Sequence, residues 1–509
     1  MKSKYLLAFL AFAISTTYAQ EPADALRYSM LTQNGTARNQ AIGGAGASLG
    51  GEFSSLFINP AGLGFYKTHD FVITPSYSLK NIKSDYRSTS ATSNNNNFAL
   101  GATGLVISSP SVNKPVKSVT FAIGVNRSAD FNNHIYYQGQ NTSSSYSEKY
   151  LEEFINNNVT DPNNAASGYP YGASLAFNTF LIDTIQASDG SLAGYRSVAD
   201  PAFGLRQENT IVTSGGITDI AIGVGADLQE KFFFGGTLSF PVLNYYREGI
   251  YKESDESGDL NNSFSYFEAR ETLETKGVGV NAKLGIIYKP VDYVRLGLAV
   301  HTPTFFQLTD NYTAEVITDL EGYGGAGTKH QSSIDLNGAA LESKYNLVTP
   351  LRIIGSASYV FREVQDVQKQ KGFVTADIEY VNYKGASFSA VDNTDTDSKN
   401  YYSSLNQSID NLYKSAFNVR LGGEMKFNTM MVRIGGAYYG NPYQNEKADL
   451  FRLSGGVGYR NKGFFLDLTY IYSLNKNVNY PYQLEDKANV PAYLKNNGGN
   501  IVATFGFKI

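Results

Sequence analysis

The chain has 509 residues, with 37 tyrosines, 31 phenylalanines and 49 glycines, no cysteine, no tryptophan and only 17% charged side chains. Without cysteine there is no disulfide framework, zinc-thiolate site or thiol nucleophile, and four histidines leave little material for metal or acid–base chemistry. A net charge of −4 carries no polybasic signature, so nucleic acid is a poor partner on electrostatic grounds.

Residues 1–19 read as a secretory signal peptide: Lys2 and Lys4, an apolar stretch from Tyr5 to Ile14, then Thr17-Tyr18-Ala19 before Gln20. The stretch is about half the length a spanning helix needs, and no later segment is long and apolar enough to cross a membrane as a helix. Residues 20–68 centre on Gly43-Gly44-Ala45-Gly46-Ala47-Ser48-Leu49-Gly50-Gly51, too poor in large side chains for a core of its own. Its apolar flanks, Leu56, Phe57, Ile58, Leu63, Phe65 and Tyr66, predict a compact plug folded against a larger wall.

From residue 69 to 509 the pattern has period two. It is cleanest at 276–301, where Val278, Val280, Ala282, Leu284, Ile286 and Tyr288 oppose Gly277, Gly279, Asn281, Lys283 and Gly285. After a turn, Val294, Leu296, Leu298 and Val300 oppose Arg295, Gly297, Ala299 and His301. An oily face against lipid and a polar face in a lumen demand this alternation. The same test predicts strands near 69–80, 97–108, 117–138, 208–229, 231–251, 264–288, 292–312, 341–362, 370–384, 414–427, 429–440, 449–461, 463–475 and 499–509. The expected fold is therefore all-β, a transmembrane antiparallel β-barrel of about 14 strands with a small N-terminal hatch in its lumen. Connections alternate between short turns, expected on the periplasmic side, and long outer loops at 81–96, 139–207, 252–263, 313–340, 385–413, 441–448 and 476–498.

Tyrosine and phenylalanine are expected to share the interfacial girdles. The polar stretches 92–97 and 392–398 read as solvated loop tips; Asp395 and Asp397 in the second do not complete a calcium loop. The longest loop carries Tyr150, Leu151, Phe154 and Ile155 at helical spacing and a second apolar cluster at Leu175, Ala176, Phe177, Phe180 and Leu181. Such a patch is either a greasy landing site or a loop that folds over and seals its own barrel.

Gly35-Thr-Ala-Arg38, the glycine run and Asn59-Pro60-Ala61-Gly62-Leu63-Gly64 together resemble the hatch of the FadL-type long-chain fatty acid transporters, which carries an Asn-Pro-Ala triplet. Gly279 to Pro290, Val294 to Gly297 and Thr349 to Ile353 also resemble that family. The resemblance implies an outer-membrane location and passive transport of a hydrophobic small molecule, a fatty acid or similar. It implies entry at a loop site (Phe154, Ile155, Phe177, Phe180 and Leu181), gating by the hatch at Asn59, Pro60, Ala61 and Gly62, and sideways exit into outer-membrane lipid. The family's third strand is kinked, and here the oily face is lost at Asn126, Arg127 and Ser128. Some relatives serve secretion machinery instead, which makes such a partner an alternative.

Lys283 and Arg295 are the candidate ligands for a carboxylate head group, since both lie on a polar face and cations pair with carboxylates. Most lumen-facing arginines are expected to pair with acids across the lumen instead. Gly46-Ala47-Ser48-Leu49-Gly50 matches a nucleophile elbow but lacks the strand and helix that elbow needs, leaving an outer-membrane esterase as a distant alternative. No enzyme activity, cofactor or metal site is expected.

Overall fold

A computed structural model describes residues 20–111, 115–361, 371–392, 395–445 and 448–508; the expected signal peptide at 1–19 and the expected turn at 363–369 lie outside them. Their architecture is a closed antiparallel barrel of 14 strands. In chain order these are β1 (70–86), β2 (89–110), β3 (116–141), β4 (Leu205–Leu228), β5 (Phe232–Ser254), β6 (Tyr266–Val291), β7 (294–319), β8 (341–361), β9 (372–390), β10 (Ser415–Phe427), β11 (Met430–Tyr439), β12 (Leu450–Asn461), β13 (Phe464–Asn479) and β14 (Ala492–Lys508). Each pairs with its sequence neighbours, and β14 closes on β1 from Asp70↔Lys508 to Asp85↔Tyr493.

Closure follows from the solvent: a spanning sheet in hydrocarbon has no water to satisfy a free edge. The outward residues supply the matching apolar belt. On β5 it runs from Phe232 through Phe234, Leu238 and Phe240 to Val242, and on β6 from Val278 through Leu284 to Tyr288. At about 3.3 Å per residue and a tilt near 40°, that stripe is roughly 25 Å tall. Aromatic pairs mark its periplasmic rim: Phe232 stacks on Tyr288 at 4.8 Å, Tyr293 meets Tyr359 at 5.4 Å and Phe464 meets Phe507 at 5.4 Å. This places part of the Tyr and Phe excess in a girdle.

β4, β5 and β6 run well past the belt, so the barrel continues outward as a polar wall roofed by the loop at 142–204. That loop holds helices Ser147–Asn156, Pro162–Ser167 and Ala173–Asn178. The expected outer loop at 81–96 does not exist. Residues 75–86 and 89–100 form one ladder from Pro75↔Leu100 to Tyr86↔Thr89, turned at Arg87 and Ser88 in the left-handed region (φ 44° and 64°). The asparagine run lies inside this hairpin, where Asn81 and Asn94 share a cross-strand hydrogen bond of 2.7 Å; with both faces polar, the run lacks the alternation that marks a strand. At 392–398, Asp395 caps helix Thr396–Leu412 by accepting from Ser398 N at 3.0 Å.

Leu284 stands 63% exposed in the middle of the belt. Leu284→Arg should cost about 2–4 kcal/mol of barrel stability in lipid. A urea unfolding midpoint in vesicles checks this.

Candidate functional site

The hatch, residues 20–68, fills the lumen as four short helical pieces: α1 (Pro22–Ser29), Ala37–Ala41, Ser55–Ile58 and a 3₁₀ turn at Pro60–Phe65. Pro22 opens α1, and the Asp24 carboxylate accepts from Glu21 N at 3.0 Å, a capping pattern readable in the sequence. The 3₁₀ turn starts at Asn59, whose Oδ1 accepts from Ala61 N (3.2 Å) while Nδ2 donates to Ala47 O (2.6 Å) and to the wall at Ile286 O (3.4 Å). It can press so close because Gly225, Gly235 and Gly285 sit side by side across β4, β5 and β6. A Cβ at Gly235 would overlap the Pro60 carbonyl, and one at Gly285 would overlap the Asn59 amide. Among the hatch's own acids, burial raises the Glu52 carboxyl above its ordinary value, while its bonds with Thr36 and Ser54 oppose that shift.

Beneath α1 a cavity of about 40 Å³ is lined by Tyr28, Ile217, Asp219, Lys283, His301 and Arg352, among others. That is room for a few waters, against the several hundred Å³ of an ordinary ligand site. Its cations are committed. Lys283 Nζ donates to Ser239 Oγ (2.8 Å) and Asn281 Oδ1 (3.1 Å) and lies 3.6 Å from Asp219. Arg352 pairs with Glu379 at 3.2 Å and donates to Ser29 O in the hatch, and His301 Nε2 bonds Ile58 O at 2.7 Å. The cavity sits where β7 and β8 break, at Thr302-Pro303-Thr304 and Thr349-Pro350; two Thr-Pro pairs were the available sequence signal.

Next to it the wall itself changes. The β2–β3 ladder stops at Thr103↔Val125. Beyond that row β3 shifts register between Arg127 and Ala129, breaks at 131–132, and its outer half pairs only with β4. Across the seam, side chains replace the ladder: Asn97 Nδ2 donates to Asp130 Oδ2 (3.0 Å), Lys80 Nζ to Asp130 Oδ1 (3.0 Å) and Ser93 Oγ to His134 O (2.6 Å). Cavity and seam adjoin, since Asp219 and Ile217 of the cavity register with Asn126 and Ala129, and Tyr28 meets Phe131 at 5.8 Å. The hatch touches the same place, with Asn34 Nδ2 donating to Arg127 O at 2.9 Å.

No family model and no curated protein matches the chain. Solved structures do. A Pseudomonas aeruginosa FadL homologue aligns with 94% of this chain and 99% of its own at TM-score 0.54 and 14% identity. The Pseudomonas putida toluene transporter TodX aligns over the same shares at TM-score 0.52 and 13% identity. The fold is that of the FadL-type barrels.

In this barrel of FadL-type fold, several expected site residues fall elsewhere. Arg295 does not face the cavity: it donates to Leu49 O and lies 4.7 Å from the Phe65 ring centre, so it anchors the hatch. In the long loop Phe154 and Leu181 are buried with Tyr146, Tyr150 and Val198 in a core the loop shares with Tyr251 of β5 and Phe267 of β6, and Phe177 packs against it. Only Ile155 (67%) and Phe180 (38%) offer substantial exposed surface, so most of the apolar cluster seals the loop. Ser48 is fully buried and bonds Ser356 Oγ (2.7 Å) and Ser358 Oγ (2.5 Å), hydroxyls that cannot serve as the base an esterase requires. Two of the other lumen arginines pair as the strand faces imply, Arg420 with Glu379 and Arg433 with Glu424 and Asp467, each at 2.6 Å.

Asn59→Ala removes the cap on Ala61 N and the side chain's bonds to the backbone carbonyls of Ala47, Ile286 and Leu298. It should cost about 0.5–2 kcal/mol and expose residues 20–68 to limited proteolysis without unfolding the barrel. Gly235→Val, by steric overlap with Pro60, should do the same.

Proposed function

We propose that this barrel conducts hydrophobic small molecules passively across the outer membrane, from the loops to the cavity beneath α1 and then sideways through the β2–β3 seam. The observation that carries this reading is the seam: a wall otherwise joined by backbone ladder is held there by a few side-chain bonds, directly beside the cavity. Parting it costs several hydrogen bonds worth about 1 kcal/mol each net, more for the charged ones, rather than a run of ladder bonds in a hydrocarbon solvent. The break starts at Val125, level with Ile220 and Phe240 at the top of the apolar belt, so a solute leaving there enters lipid without crossing bulk water.

The small cavity supports hatch gating. A hydrophobic solute fits only if α1 moves, and the Asn34–Arg127 bond links such movement to the seam. That the solved structures of like fold include a toluene transporter accords with a hydrophobic cargo.

Because the chain has no cysteine, the seam can be stapled cleanly. Asn97→Cys with Asp130→Cys, bridged by a bifunctional methanethiosulfonate that forms a reducible disulfide at each cysteine and releases sulfinate, should abolish uptake of a labelled hydrophobe by cells lacking their own transporter, and reductant should restore it. Uptake that continues through the stapled barrel would exclude this exit.

A further inference from the structure

The inner approach to the seam is amide-lined, and its oxygens lack donors. Asn126 is 4% exposed and its Oδ1 is buried with no donor; Asn97 Oδ1 and Asn133 Oδ1 are in the same state. The orientation at Asn97 is set by chemistry, because its Nδ2 donates to the Asp130 carboxylate, which cannot donate back. Unanswered amide oxygens of this kind are costly in a protein interior, and three spaced along one seam point to something that supplies O–H or N–H. The same place is hostile to an anion. Its carboxylate, Asp130, stands in the path, Lys80 is spent on Asp130 and Asn132 O, and Arg127 gives both Nη groups to Thr218 Oγ1 and Gly215 O, leaving only Nε unanswered. The neighbouring cavity likewise commits Lys283 to Asp219 and Arg352 to Glu379.

We infer that the exit selects hydrophobic molecules carrying a neutral hydrogen-bond donor, an alcohol or a phenol, over bare hydrocarbons and over carboxylates. This rests on the lateral route proposed above. An alcohol head passing the seam would donate to Asn126 and then to Asn97 while its tail moves toward the exposed outer faces of Phe98 and Leu100 and into lipid. A hydrocarbon leaves the amides unanswered, and a carboxylate brings only further acceptors.

Three probes with one tail separate the cases: labelled 1-dodecanol, dodecane and laurate, offered to cells lacking their own transporters and displaying the full barrel at equal surface level. Dodecanol should enter about tenfold faster than either of the others, the factor one satisfied hydrogen bond confers. In Asn126→Ala and, separately, Asn97→Ala, each confirmed as a folded barrel by heat-modifiable mobility, the ratio of dodecanol to dodecane rates should fall toward one. Equal entry of all three probes, a preference for laurate, or an unchanged ratio in both variants would overturn the inference while leaving transport intact. Entry of none of the three through the folded barrel would instead overturn the transport reading, and this inference with it.

Discussion

Everything in this molecule answers to one constraint: in hydrocarbon, every backbone N–H and C=O must be paired within the protein. The constraint closes the sheet, dictates the apolar exterior of β5 and β6, and pushes the polar faces into the lumen. It also gives meaning to the places where pairing is given up. The β2–β3 ladder ends at the top row of the belt, where interfacial water and polar side chains can take over from backbone partners. The Thr-Pro interruptions of β7 and β8 border the cavity, placing irregular backbone against a polar lumen rather than against lipid tails.

The lumen is held together by two different kinds of contact. Guanidinium–carboxylate clusters such as Arg433 with Glu424 and Asp467 tie strand to strand, and Arg38 of the hatch joins Glu424 at 3.0 Å. Ions buried away from water persist only when paired in this way. The hatch adds backbone contacts to its apolar ones: the segment from Asn59 lies on the glycine row of β4 to β6, Ser454 Oγ donates to Ala41 O at 3.0 Å, and Phe53, Leu56, Leu63 and Tyr66 share a core with Val106 and Phe465 of the wall. Backbone docking needs close approach and little side-chain bulk, which explains why so small and glycine-rich a segment can plug so wide a barrel.

Much of this was legible in the residues. Alternation located all 14 strands, and the apolar flanks of the glycine run placed the hatch against a wall. Asn126, Arg127 and Ser128 fall at the register shift of β3, because loss of alternation and loss of regular pairing have one cause. What failed did so for physical reasons. The asparagine run was read as a loop since period two vanishes when both faces of a strand are polar. Arg295 was weighed as a ligand because a polar-face position does not reveal whether the hatch or open lumen stands opposite. Phe154 and Leu181 were weighed as a landing site because the partners that bury them come from distant strands, Tyr251 and Phe267 among them.

The sequence by itself determined the barrel, its strand number and its plug, because a periodic solvent boundary writes a periodic pattern that needs no knowledge of neighbours. Only the tertiary structure decided which lumen cations are spent, how small the cavity beneath α1 is, and that Asn97 and Asp130 meet across an unladdered seam. Those are relations between residues far apart in the chain, and no local pattern records what stands across a lumen.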